Sequence, residues 1–433
     1  MDNYTVIQTL LFVVAFFVIA RFFPAKKSMQ YWAISIVLLG SVAAQIPNIY
    51  EIIVKASRIS WLLLLLPLLG LARKEIFSTG YFIYFVCSVA AIGMFMLVCS
   101  IFSPLHLQSP VFYLLFPPLI AYTVGCGLQK FISEADLKIL LIPYFVYAGI
   151  LTQVLVITGL GDIEDFVYQH SYWYASKNSL ARIVGSGVLF FLFVPLKKKW
   201  TTYLLRAVSV LFVFFMLLLR SRASLLGMVC AILYFMIKKR QYVKIAILTV
   251  VVSLFITTLM YDYREKQISD LSAEQLVVLR SLNLDRYEDV NSFSGGRLEL
   301  FQRTVSTIKE NFLVGVGVCD WSVDNFFLSA TVQLGILGLL MVLGLIVYRL
   351  FLNLVTLPRE FGDDGVVGIL GMITIMNFVV SFFEGGGIFG PGNVSLSMWL
   401  LSGYFDAKRT AVSLDGNGAD GINTGSADEK LVA

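Results

Sequence analysis

Apolar residues run along this chain in long blocks broken by short polar clusters, and the blocks have the length of membrane crossings. Helix rise needs about 17–25 mainly apolar residues to cover roughly 30 Å of hydrocarbon. Blocks near residues 4–20, 31–47, 59–72, 81–102, 111–128, 138–160, 183–196, 202–219, 223–237, 242–261, 326–348, 365–382 and 389–405 predict about thirteen transmembrane helices. The third, seventh and ninth blocks are short, which sets the range at about twelve to fourteen. Hydrocarbon offers backbone N–H and C=O groups no partner, so each block is predicted to be helical. The fold class that follows is an all-α polytopic integral membrane protein with a single membrane domain over residues 1–410. Within it lies a large loop at 262–325, and after it a tail at 411–433, rich in Gly, Asp, Ser and Asn and predicted to be disordered. The first block lacks a basic start and a small-residue cleavage site, and is expected to be a retained span.

Basic residues orient the spans. One set of alternate connections holds Arg21, Lys26, Lys27; Arg73, Lys74; Lys130, Lys138; Lys197, Lys198, Lys199, Arg206; Lys238, Lys239, Arg240, Lys244; Arg349, Arg359; and Lys408, Arg409, Lys430. The opposite short connections hold only Lys55, Arg58, Lys177, Arg182, Arg220 and Arg222. Short loops rich in Lys and Arg stay in the cytoplasm. The N-terminus and the 262–325 loop are therefore expected outside, and the tail inside.

Composition agrees with this pattern. The chain is 58% hydrophobic and 14% charged, with a mean hydropathy of +0.82. A soluble domain is about a quarter charged, so a soluble enzyme, a secreted disulfide scaffold and a disordered chain are excluded. A net charge of +5 is too small to suggest a nucleic-acid partner. The cysteines lie mostly in apolar runs without metal-ligand spacing, and two histidines cannot build a zinc site.

Three polar features are predicted on the outer face. In the segment 161–182, Tyr168, His170, Tyr172, Trp173 and Tyr174 cluster ahead of Arg182; they suit an interfacial aromatic belt or a surface on which sugars stack. Arg220-Ser221-Arg222 sits in a tight turn between two spans, where a charge beside the apolar slab costs a few kcal/mol and normally marks function, snorkelling to lipid phosphates being the alternative. The 262–325 loop contains Leu298, Phe301, Val305, Ile308 and Phe312 at helical spacing opposite Glu299, Gln302, Arg303, Ser306, Lys309 and Glu310, which predicts an amphipathic helix. Its first turn, beside Arg297, offers free backbone N–H groups to an anion. Arginine clamps phosphate with planar, bidentate donors, so Arg220, Arg222 and Arg297 point to a phosphorylated lipid.

These runs resemble those of the O-antigen ligase / O-antigen polymerase superfamily. Arg220-Ser221-Arg222-Ala223-Ser224-Leu225-Leu226 is similar to the start of its core region. Gly296-Arg297-Leu298-Glu299-Leu300-Phe301 and Asn311-Phe312-Leu313-Val314-Gly315-Val316-Gly317 are similar to its next segment, and Asp324-Asn325 with Gly335 and Gly338 matches the spacing of its last motif. The resemblance covers about 221–338. Asp324 stands where the motif has histidine, and Phe312 where it has proline, which leans toward the polymerase branch.

The resemblance implies a metal-independent glycosyltransferase, without cofactor, on the periplasmic side of a bacterial inner membrane. Its donor would be a polyprenyl-pyrophosphate-linked oligosaccharide repeat unit of an O-antigen, capsule or exopolysaccharide, with membrane lipid, a chain-length regulator and a flippase as partners. Arg220, Arg222, Arg297 and Arg182 would hold the pyrophosphate, and Asp324 or Glu384 would deprotonate the acceptor hydroxyl. Tyr172, Trp173 and Asn325 would contact sugar. Asp363-Asp364 falls on the cytoplasmic side and is expected to be solvated. A ligase delivering glycan to a lipid or protein is the first alternative. A lipid-linked oligosaccharide transporter is the second; it would place charges and broken helices at the membrane midplane, whereas the blocks at 202–219 and 326–348 are nearly free of charge.

Overall fold

The computed structural model describes residues 72–159, 177–194, 199–218, 221–243, 297–319, 321, 323–363, 365–390 and 395–420. The predicted spans 4–20, 31–47, 59–72 (all but its last residue) and 242–261 (all but its first two residues) lie outside these residues. Every regular element among the described residues is helical. The long ones are α1 (Gly80–Cys99), α2 (Phe116–Leu128), α3 (Glu134–Gly159), α4 (Lys177–Phe193), α5 (Lys199–Leu218), α6 (Arg222–Lys238), α7 (Arg297–Glu310), α8 (Phe326–Phe351), α9 (Val366–Val380) and α10 (Leu396–Asp420). Three described stretches, Gly80–Cys99, Lys199–Leu217 and Phe326–Phe361, are long and apolar enough to cross a membrane, and a bent pair, Pro104–Tyr113 with Phe116–Leu128, would make a fourth.

Proline and asparagine set local boundaries. Pro104 and Pro110 each open a short helix, where the missing N–H costs nothing. The predicted span 111–128 is consequently two pieces bent by 43°. Asn325 caps α8, its Oδ1 accepting from the Leu328 N–H at 3.0 Å.

The helices alternate in direction. One end of the bundle carries the ion pairs Lys130–Glu75 at 2.9 Å, Lys408–Glu134 at 3.1 Å, Lys238–Asp363 at 2.5 Å and Arg409–Glu360 at 2.7 Å. Asp363 is thus paired, not merely solvated; Asp364 lies outside the described residues. Arg349, counted above as a loop cation, is fully buried near the same end and held by Asp406. The start of α8 and the finish of α9 meet at the opposite end, where the Phe326 N–H donates to the Ser381 carbonyl at 2.9 Å.

Two close backbone approaches hold the bundle together. A Cβ on Gly125 would lie 2.0 Å from the Leu400 carbonyl oxygen, and one on Gly403 would lie 2.0 Å from that of Tyr122. Glycine at both positions lets α2 and α10 touch backbone to backbone, the contact that van der Waals packing favours where lipid supplies no hydrophobic drive. The second approach is at Gly335, where α8 breaks with φ 65° and ψ −175°, a conformation open essentially to glycine alone. A helix break in an apolar slab leaves amides and carbonyls unpaired, and here the preceding turn supplies their partners. Val316 and Gly317 donate to the carbonyls of Val332 and Gln333 at 2.8 and 2.9 Å, while Ile336 and Leu337 donate to those of Phe312 and Leu313 at 2.8 and 3.4 Å.

Two expectations are corrected. The stretch 326–348 is not one unbroken span. Residues 411–420, assigned to a disordered tail, continue α10 as helix to Asp420; residues 421–433 lie outside the described residues.

Candidate active site

Around the start of α8 the chain brings together segments far apart in sequence. Asp324 and Asn325 precede α8, and residues 381–390 follow α9. The two segments run side by side: Asn325 Nδ2 donates to the Phe382 carbonyl at 3.0 Å, and a Cβ on Gly385 would stand 2.6 Å from the Val323 oxygen. The amphipathic helix α7 lies across this end. Trp321 ties it down, with Nε1 donating to Thr304 Oγ1 at 3.1 Å and the Arg303 guanidinium 4.0 Å over the indole ring. Thr304 faces inward, whereas Phe301 and Phe312, on the predicted apolar stripe, are half exposed. They form an apolar ridge with Leu313, suited to resting in a membrane interface.

Between α7, the start of α8 and the Phe382-Phe383 pair lies a cavity of about 290 Å³. Leu300, Phe301, Leu328, Phe382 and Phe383 make it largely apolar; Asp324, Asn325 and Thr304 supply the polar groups. Asp324 itself is exposed rather than partly buried. A larger cavity, about 500 Å³, opens at the far end beside Asp406, Glu360 and Arg409. Its charged groups already pair with protein partners, Asp406 with Arg349 and Arg409 with Glu360, so the smaller cavity is the better candidate for chemistry.

Arg182 is the other centre of this end. It is completely buried, not at the surface of a span mouth. Its Nη2 donates to Asn377 Oδ1 at 2.8 Å and to the Gly387 carbonyl at 2.5 Å, and Nη1 lies 3.5 Å from Glu384 Oε2. Its Nε and Nη1 make no hydrogen bond among the described residues. Buried N–H groups left without an acceptor are rare in native proteins, and each calls for an explanation. Glu384 is the more open partner, with 14% of its side chain exposed.

The structure therefore joins two of the predicted residues directly, Arg182 and Glu384, and places the Asp324 segment beside the Glu384 segment. Arg222 opens α6 and is exposed. Gly227 of that helix packs on Met376 and Val380 near the finish of α9, which puts Arg222 at the same end. Arg297 is the first residue of α7. Asn325, expected to contact sugar, has both side-chain groups engaged, one capping α8 and one on Phe382. Arg220, Tyr172 and Trp173 lie outside the described residues. Asn377 escaped the sequence analysis, although a lone amide in the apolar run 366–380 was a usable signal, since polar groups inside spans are costly and generally functional.

Residues 207–343 match a family model described as O-antigen ligase. The matched stretch takes in Arg222, α7, the Gly315–Gly317 turn, Asp324 and the break at Gly335. That match, over about a third of the chain, supports a relationship to the O-antigen ligase/polymerase superfamily. No curated protein matches the chain. Its apolar helices and this match together support a membrane protein of polysaccharide biosynthesis; Arg182 and Glu384 lie outside the matched residues.

Proposed function

We propose that this protein is a metal-independent glycosyltransferase of a bacterial inner membrane that polymerises polyprenyl-pyrophosphate-linked repeat units at its periplasmic face. The observation that carries the reading is Arg182, wholly buried, with donors that find no hydrogen-bond partner among the described residues, beside the partly open Glu384 and on the same end as Asp324 and α7. In the proposed step an acceptor hydroxyl attacks the anomeric carbon of the donor sugar. The carbon–oxygen bond to the polyprenyl diphosphate breaks, its electron pair stays on the diphosphate, and the hydroxyl proton passes to a carboxylate. Fixed guanidinium donors aimed at the departing charge act strongly where water is excluded, which suits Arg182 with Arg222, Arg297 and Arg220. Glu384 lies against Arg182 and is stabilised as the anion. Asp324 borders the cavity, so we assign it the proton.

The broken α8 is a feature that transporters also use. Here the freed backbone groups are capped by the 312–317 turn instead of facing a substrate path, which favours transfer over transport. The deciding experiment is incubation of the purified protein with lipid-linked repeat units, followed by a gel. A ladder indicates a polymerase, one transferred block a ligase, and unchanged donor a transporter. Asp324→Asn should slow the ladder by about a hundredfold or more, and wild-type product from that variant would move the base elsewhere.

A further inference from the structure

The turn after α1 rests on the Gly315–Gly317 turn. A Cβ on Gly317, whose φ is +80°, would stand 2.5 Å from the His106 backbone nitrogen and from the Leu105 carbonyl carbon. The His106 side chain is closed into this contact, 3% exposed. Its Nδ1 lies 3.0 Å from the Ser103 carbonyl oxygen and its Nε2 lies 3.2 Å from the Gly315 carbonyl oxygen. Both neighbours can only accept. Neutral imidazole has one N–H and one lone pair, so it satisfies one carbonyl and turns a lone pair on the other; only the imidazolium donates to both.

We propose that His106 is a positioning residue: its two ring nitrogens clip the 103–109 turn to Gly315 and so fix the 311–319 segment that leads toward Asp324. Because Val316 and Gly317 also cap the broken α8, a shift of Gly315 moves the break and the approach to Asp324 together. The clip stands on the geometry alone; its effect on glycan transfer rests on the function proposed above.

Amide exchange of the full-length protein in lipid nanodiscs tests this, with wild type, His106→Leu and His106→Gln compared at equal pH so that intrinsic exchange cancels. The Val316 and Gly317 amides of His106→Leu should exchange about tenfold faster than wild type. His106→Gln keeps a donor toward Gly315 and should exchange at a rate between the two; it carries the test if His106→Leu does not fold. Equal exchange in wild type and both variants overturns the proposal. In the parallel gel assay, His106→Leu should transfer about fivefold more slowly than wild type and His106→Gln should recover part of that loss. A protein that transfers nothing at all defeats the glycosyltransferase reading and leaves the exchange data to decide the clip.

Discussion

Two of the described arginines are fully buried, Arg182 near one end of the bundle and Arg349 near the other, and their surroundings differ. Arg349 is closed in by partners. Nη1 and Nη2 bond both oxygens of Asp406 at 2.5 and 3.2 Å, Nη2 also donates to Asn353 Oδ1 at 2.5 Å, and the Tyr81 ring lies 4.6 Å from the guanidinium carbon. The partners are themselves held: Tyr122 donates to Asp406 at 2.6 Å, and Asn353 donates to Thr374 and Ser402 at 2.8 and 3.1 Å. One N–H, Nε, is left over. Arg182 has Nη2 engaged by hydrogen bonds, Nη1 in a looser ion pair with Glu384, and Nε with no hydrogen-bond partner among the described residues. Equal burial thus hides different roles. A charge saturated by short bonds from several helices is a fastening, whereas one with spare donors suits the role proposed for Arg182.

Removing Arg349 should break this comparison most visibly. Arg349→Ala strands Asp406 in a dry environment, at about 3–5 kcal/mol, and the folded, monodisperse fraction in detergent should largely vanish. The double substitution Arg349→Met, Asp406→Leu should recover it, because an apolar replacement of a buried pair is often neutral. Normal yield from Arg349→Ala alone would refute the fastening. Arg182→Lys comes next: the charge stays but the fork is lost, so transfer on the gel should drop by about a hundredfold or more while thermal unfolding changes little. A variant that unfolds and loses product in proportion would make Arg182 a second fastening. Asn325→Ala should lower stability by about 1 kcal/mol through the lost cap, read as a shift in melting temperature. Smallest of all, Arg409→Gln should move stability by no more than about 0.5 kcal/mol, since the Arg409–Glu360 pair is roughly two-fifths exposed on both sides.

The legible part of this molecule was the part governed by solvent. Apolar length placed α1, α5 and much of α8, and the alternation of basic clusters anticipated that Lys130, Lys238 and Lys408 would share one end. Helical spacing located α7 and its apolar stripe, but not that the small Thr304 would be its buried residue while Phe301 and Phe312 stay half exposed. Pairing inside the bundle was not legible. Arg349 and Asp406 are 57 positions apart, and sequence spacing shows each as an ordinary charge beside a span. The same holds for the site: Arg182 and Glu384 were singled out separately, but Asn377 and the Gly387 carbonyl join them only in three dimensions. The break at Gly335 was missed because its capping turn is supplied by another stretch of chain.

The mutual contact of Gly125 and Gly403 bears on biogenesis. A ribosome delivers α2 to the membrane long before α10 exists, so the glycine-lined groove on α2 must be covered by lipid, or by a chaperone, until the later helix arrives. Insertion of α10 is then the event that locks the bundle, and bulky substitutions at Gly403 should leave a fully synthesised chain that quality-control proteases can still open.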